Sequence, residues 1–211
     1  MSEYSANIDG VFIGDVTKIG PEQTPTGIYK NKVVGAQRIT ELGLVGDIQV
    51  DRRVHGGPEK AVYHFPAENY AVCQQALPHL KDAFIPGSIG ENISSTGVDD
   101  KTVHIGDILR LGTALVQVSQ PRRPCWKVNH KYGNGHLASL LMSQGISGWY
   151  YRILEEGVVS EGDQWVFCER LDNSLSVYGV WRMFLERLQS RMPPEAFSAD
   201  IPGLSREWRF Q

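Results

Sequence analysis

The chain has 211 residues and a mass of 23.5 kDa, the size of one ordinary domain with at most a small appendage. Hydrophobic residues make up 41% and charged residues 21%, and no apolar run approaches the ~20 residues that cross a bilayer, which excludes a transmembrane helix, a disordered tail and a coiled coil. A net charge of -3 and a pI near 6.1 have the wrong sign for a non-specific nucleic-acid binder, so no nucleic-acid partner is expected and any polyanion site must be local.

The opening MSEYSANIDG lacks the basic and apolar regions of a secretory signal, so a cytoplasmic protein is expected. Residues 10–16, 33–40 and 60–65 read as strands, being β-branched or alternating apolar with polar. Gly-Asp recurs at 14, 46, 106 and 162, which reads as turn chemistry. Pro66 then opens a helix in which Tyr70, Cys73 and Leu77 follow at helical spacing until Pro78, and this places Cys73 in the core. Strands are expected again at 103–111 and 114–119. Residues 136–144 and 148–156 read as two amphipathic helices closed by Gly145 and Gly157, with Trp149 and Tyr150 packing the body. The stretch Gly133-Asn134-Gly135-His136-Leu137-Ala138 fits a dinucleotide-binding pattern, but no apolar strand precedes it, and Asn134 reads as a helix cap. In a last strand Trp165 and Phe167 share one face and Cys168 takes the other. Val177, Val180, Trp181, Phe184, Leu185 and Leu188 then form a helical stripe, Pro193-Pro194 ends it, and two short helices are expected around 195–198 and 204–209. The expected division is a β-rich body over 1–171 and a helical appendage over 172–211 that docks without carrying chemistry.

Three widely spaced cysteines rule out a disulfide framework or a four-thiolate metal site, and no two histidines stand at the i, i+4 spacing of a zinc-binding helix. The 47 residues between Asp107 and Glu155 hold no carboxylate but contain Arg110, Arg122, Arg123, Lys127, Lys131 and Arg152. Three of these cations surround one thiol in Ser119-Gln120-Pro121-Arg122-Arg123-Pro124-Cys125-Trp126-Lys127, where positive charge favours thiolate. Cys125 is the reactive candidate, on a proline-stiffened loop leaving the 114–119 strand. In Asp51-Arg52-Arg53-Val54-His55-Gly56-Gly57-Pro58-Glu59-Lys60, paired glycines let backbone amides approach a flat or anionic group, although a plain turn with a solvated His55 fits the same residues. Gly87-Ser88-Ile89-Gly90-Glu91-Asn92 reads equally as a turn or as a polar site wall.

These loops, with Thr40 to Asp47 and Ile105-Gly106-Asp107, resemble the MOSC family, domains related to the C-terminal part of molybdenum cofactor sulfurase. Within it, the motif order and helical tail resemble the YiiM-like 6-N-hydroxylaminopurine reductases. The resemblance implies an α+β fold: a β-rich, barrel-like MOSC body with inserted helices and a small C-terminal three-helix appendage. It further implies a bound molybdenum-pterin cofactor with Cys125 as the protein ligand of the metal. Asp47, Arg53, His55, Gly56, Gly57, Lys60, Glu91, Asn92, Gln120, Arg122, Arg123 and Lys127 are the corresponding cofactor-binding candidates. The implied reaction removes oxygen from a small N-hydroxylated base, giving an amine or amidine plus water with two electrons and two protons. His55, titrating near neutrality, is a candidate proton donor or a hydrogen-bonding partner of the pterin. With no dinucleotide fingerprint and too few cysteines for an iron-sulfur cluster, electrons must come from a separate flavin- or iron-sulfur-containing protein. The alternative is a non-catalytic cofactor carrier or sulfur-transfer accessory. The oligomeric state stays open.

Overall fold

The computed structural model describes residues 5–190 and 201–209, apart from the side chains of Arg53, Val54, Ser190 and Arg209. In chain order the elements are β1 (Ser5–Ile13), the hairpin β2 (Thr17–Ile19) and β3 (Thr24–Thr26), β4 (Asn31–Lys32), β5 (Gln37–Thr40), β6 (Gly43–Leu44), α1 (Arg52–His55), β7 (Val62–His64), α2 (Glu68–Ala76), β8 (Ile93–Thr96), β9 (Ile108–Leu111), β10 (Ala114–Pro121), α3 (Trp126–Tyr132), α4 (Leu137–Gln144), β11 (Trp149–Glu155), β12 (Gly157–Val159), β13 (Gln164–Glu169) and α5 (Val177–Ser190); a last helical turn spans Arg206–Arg209.

Seven strands close into a barrel in the order β13-β9-β10-β11-β7-β8-β1, with β1 pairing back to β13. Neighbours are antiparallel except β7 and β8, which run parallel through His64 and Ile93. Closure leaves these seven strands no open edge, while β4 extends only the end of β1. The α+β architecture is therefore the β-rich barrel with inserted helices that the resemblance implied.

One expected helix is a strand. Residues 148–156 do not coil: Trp149, Tyr150, Tyr151 and Ile153 form a central barrel strand between β10 and β7. The aromatic and β-branched run fits a pleated surface buried on both sides, and pairing with two neighbours outweighs the weak helical periodicity. Conversely, residues 126–132 after the proline-rich loop form α3, ended by Gly133 in the left-handed conformation.

Two apolar cores result. The first fills the barrel with residues such as Ile8, Val116, Tyr151 and Trp165 and continues without a break into Val177, Val180, Trp181 and Phe184 of α5 and Ile201, Leu204 and Trp208 of the last segment. The second lies outside β7 and β11, where Tyr70 and Cys73 of α2, Val128 and Tyr132 of α3 and Leu137 and Leu141 of α4 pack around Phe65, Tyr63 and Tyr150. Leu188, the last member of the α5 stripe, stays exposed. The short helix expected at 195–198 lies outside the described residues. No helix among the described residues is long and apolar enough to cross a membrane.

Because Trp181 is fully buried against Phe184 and Trp208, Trp181→Ala is expected to cost about 3–5 kcal/mol of stability. Leu188→Ala should stay within about 0.5 kcal/mol of the parent, as surface substitutions usually do. Denaturant unfolding of the two variants measures both.

Candidate active site

Where the second core meets the barrel, strand ends and loops line an open cavity of about 610 Å3, counting the space that opens to solvent. The end of β3 contributes Thr26 and the loop after it Gly27, Ile28 and Lys30, and the segment before α1 contributes Asp47 to Asp51. His55 enters from α1 and Lys60 from the 3-10 turn Pro58–Lys60 that follows. Tyr63, Asn92 and Tyr150 form the barrel side, and Arg122, Cys125 and Lys127 come from the β10–α3 connection. Residues far apart in sequence thus converge on the thiol.

Arg122 is the most constrained of them. It follows the end of β10 directly and is 5% exposed, and its guanidinium lies 5.0 Å from the centre of the Tyr63 ring. It is hydrogen bonded with Tyr150, which pairs across the strands with Tyr63. Its Nε–H and Nη1–H are buried and have no partner. An unpaired buried donor forfeits roughly 1–3 kcal/mol, and more when it belongs to a charged group, so these two N–H groups are poised for an anionic acceptor in the cavity. Burial pushes the phenols of Tyr63 and Tyr150 above their ordinary range, so both stay protonated and leave the cationic charge unopposed.

Cys125, half-buried, is the residue on which α3 begins, with extended backbone at φ -119 and ψ 167, and it interacts electrostatically with Arg122. Lys127 lies in the first turn of α3 and donates from Nζ to the Pro25 carbonyl at 3.1 Å. Lys60 is 5% exposed and forms an ion pair with Glu207 of the last helical turn. His55 does not titrate near neutrality. Burial, then the charges of Arg122, Lys127 and Lys60, push its pKa down to about 4 against a weaker upward pull from Asp51. At neutral pH it is an uncharged imidazole, suited to hydrogen bonding and holding no proton in reserve.

Opposite the thiol, Lys30 and Asp47 form a buried ion pair. Asp47 also accepts from the Gly14 amide at 2.8 Å and from Asn92 Nδ2 at 2.8 Å, while Asn92 Oδ1 accepts the Tyr63 amide at 3.1 Å. Asp47 and Asn92 therefore build the wall and fix its spacing. Gly46 before them has φ +87, a turn conformation that glycine adopts without strain.

Glu91, Gln120, Arg123, Gly56 and Gly57 do not line the cavity themselves. Glu91 is buried and accepts from the Tyr70 hydroxyl and from the Gly87 and Ile89 amides, at 2.6 and 3.0 Å respectively, and burial raises its pKa. Gln120 is buried beneath the last segment, accepting from Ser205 Oγ at 2.6 Å. Arg123 turns toward α5, its guanidinium 5.0 Å from the centre of the Phe184 ring. Gly56 and Gly57 pack on Gln49: a side chain at Gly56 would meet Gln49 Oε1 at 2.3 Å, and Gly57 donates its amide to the same oxygen at 3.1 Å. These glycines hold a cavity wall from behind. The side chain of Arg53 lies outside the described residues.

Lining side chains that carried no sequence signal as site residues include Lys30, Gln49, Tyr63, Tyr150 and, within an already noted segment, Asp51. Tyr63 and Tyr150 are strand residues whose role follows only from the β7–β11 register. The last segment, expected to carry no chemistry, reaches the cavity wall through Glu207. Among the described residues, no three His, Cys, Asp or Glu side chains converge to cage a metal by themselves. The donor set on offer is one thiol beside a cluster of cations.

This barrel and cavity belong to a known class. Residues 51–166, more than half of the chain, match the MOSC domain family, and the chain is a member of it. Over 140 residues it is 42% identical to protein YiiM of Escherichia coli (strain K12), an alignment covering 66% of this chain and 62% of that protein. A crystal structure of YiiM from Escherichia coli superimposes with a TM-score of 0.75 at 29% identity, covering 97% of this chain and 88% of that one. YiiM from Geobacillus stearothermophilus superimposes with a TM-score of 0.78 at 29% identity, covering 97% and 95%. A protein of Gibberella moniliformis named a reductase is 33% identical over 170 residues, 80% of this chain and 30% of its own length.

The depressed pKa of His55 fixes a pH dependence. The unfolded chain binds a proton at about 6.5 and the folded one only near 4, so between these values unfolding takes up protons. The contribution is complete above about pH 6.5 and is lost as the pH falls toward 4. Histidine-resolved NMR titration should show His55 uncharged down to about pH 5. In unfolding measurements His55→Gln should lose less stability than the parent over that window.

Proposed function

We propose that the protein is a molybdenum-cofactor-dependent reductase of N-hydroxylated bases or related compounds, such as 6-N-hydroxylaminopurine, with Cys125 as the protein ligand of the metal. MOSC domains as a class are associated with molybdenum-cofactor binding, and one relative bears the name reductase. The observation that carries the reading is the pairing of an accessible thiol with the buried, unpartnered Nε–H and Nη1–H of Arg122 in one cavity. A soft thiolate suits a metal already held by a dithiolene, and the donors suit the group's phosphate.

The residues present fit that group. Cys125 would ligate the metal, Arg122 would bind the anionic end through charge-assisted hydrogen bonds, and Lys60 and Lys127 would add positive charge along the wall. When bound, the cofactor supplies a two-electron redox centre. His55, its pKa held low by burial and by the neighbouring cations, would hydrogen-bond to the bound group. Asp47 and Asn92 hold the opposite wall, and the Tyr63 and Tyr150 rings exclude water from the guanidinium. The electron donor is a separate flavin- or iron-sulfur-containing redox protein.

The test is elemental analysis after expression in cofactor-competent cells, with turnover of 6-N-hydroxylaminopurine by an artificial reductant. The parent should carry molybdenum and turn over, and Cys125→Ala should lose turnover with its circular dichroism unchanged. Cys168→Ala and Cys73→Ala should remain active, the latter with a lowered melting temperature because Cys73 is buried. A parent that holds molybdenum without turnover is a carrier, and normal turnover by Cys125→Ala overturns the site. Charge reversal at Arg122 should strip the pterin, whereas reversal at Arg123, which faces α5, should cost stability more than cofactor content.

A further inference from the structure

The last described segment reaches the cavity from a distant part of the chain. Lys60 lines the cavity and is 5% exposed, and the carboxylate it meets belongs to Glu207, 147 residues later. The two partners are unequal: the Glu207 side chain is 36% exposed. Its carboxylate returns to water at little cost, whereas the Lys60 ammonium stays buried wherever Glu207 goes. The segment is seated on the strand that leads into the site. The Ser205 amide donates to the Ser119 carbonyl at 2.9 Å and Ser205 Oγ to Gln120 Oε1 at 2.6 Å, two residues before Arg122. Trp208 is fully buried, 5.3 Å between ring centres from both Trp181 and Phe184.

We propose that Glu207 is a built-in counter-ion that competes with the anionic end of the bound ligand for Lys60, so that filling the cavity and seating residues 201–209 are thermodynamically coupled. The anion and the Glu207 carboxylate are like charges presented to one ammonium, so each lowers the affinity of the other. Linkage makes the effect reciprocal: an anion in the cavity loosens the segment by the same factor that the segment weakens the anion. The inference rests on the anion-binding reading of the cavity and needs neither metal nor turnover.

The test uses the full chain with inorganic pyrophosphate as the probe, at fixed ionic strength. Calorimetry gives its affinity, and the 19F resonance of Trp208 in 5-fluorotryptophan-labelled protein, assigned with Trp208→Phe, reports the segment. Glu207→Gln should bind pyrophosphate about tenfold tighter, within the usual range of coupling between sites. This is a gain that structural damage would not produce. Pyrophosphate should move the Trp208 resonance in the parent and move it less in Glu207→Gln. Ser205→Ala, which keeps every charge and loosens the seat, should also tighten binding and decides the matter if Glu207→Gln does not fold. Unchanged affinity in the folded variants, or a Trp208 resonance indifferent to pyrophosphate, overturns the coupling while molybdenum retention by the parent still stands. Absence of pyrophosphate binding in every chain overturns the anion-site reading and the coupling together.

Discussion

A guanidinium cannot be buried with two idle N–H groups unless its backbone is held from several sides, and the arrangement around Arg122 shows how the fold does this. Its amide donates to the Gly148 carbonyl at 3.0 Å, and its carbonyl accepts from Ser147 Oγ at 2.6 Å. Ser147 is fixed in turn by Trp181 Nε1, which donates to its hydroxyl at 2.7 Å, and by the Tyr63 hydroxyl, which donates to its carbonyl at 2.9 Å. Barrel strand, inter-element turn and α5 therefore all terminate on one residue. Burying a cation costs several kcal/mol, which its partners must offset, and a fold that does this at one point while leaving two N–H groups idle commonly does so for binding.

The other cavity charges are balanced differently, and the differences give the cavity its polarity. Lys30 is matched by Asp47 within the wall, so that side is close to neutral. Lys60 is matched by a carboxylate outside the wall, in a segment held by its own aromatic contacts. Arg122 has an aromatic face and a protonated phenol, neither of which carries a negative charge. Positive potential is accordingly concentrated at Arg122, next to the thiol, and it adds to the larger effect of burial in keeping His55 unprotonated.

What the sequence revealed follows from how local each signal is. Pro121-Arg122-Arg123-Pro124-Cys125 and His55-Gly56-Gly57-Pro58 are compact, and the charge asymmetry around the first is visible without a structure. Which of two adjacent arginines enters the cavity is not, because it depends on the direction in which the chain leaves β10. Tyr63 and Tyr150 are 87 positions apart and meet through strand register. The mistaken helix at 148–156 has the same origin: its apolar residues suit a helix face and a strand buried on both sides equally well, and pairing with β7 and β10 decides between them. Glu207 is more distant still, and no pattern in the last segment marks it as the partner of Lys60.

The three cysteines show how position rather than residue type assigns chemistry. Cys73 sits in the second core, where burial pushes its thiol up to about 12, so it behaves as a small apolar side chain. Cys168 is exposed on β13, on the face opposite the barrel-filling Trp165, and is remote from the cavity. Only Cys125 combines access with neighbouring positive charge, and it does so because two constraints coincide. Pro121 and Pro124 limit the backbone of the connection, while the Ser147–Trp181 clamp fixes where that connection begins. Loosening the clamp would shift the Arg122 charge relative to the thiol. The interior packing of α5 and the placement of Cys125 are therefore one structural problem, joined through the backbone of residue 122.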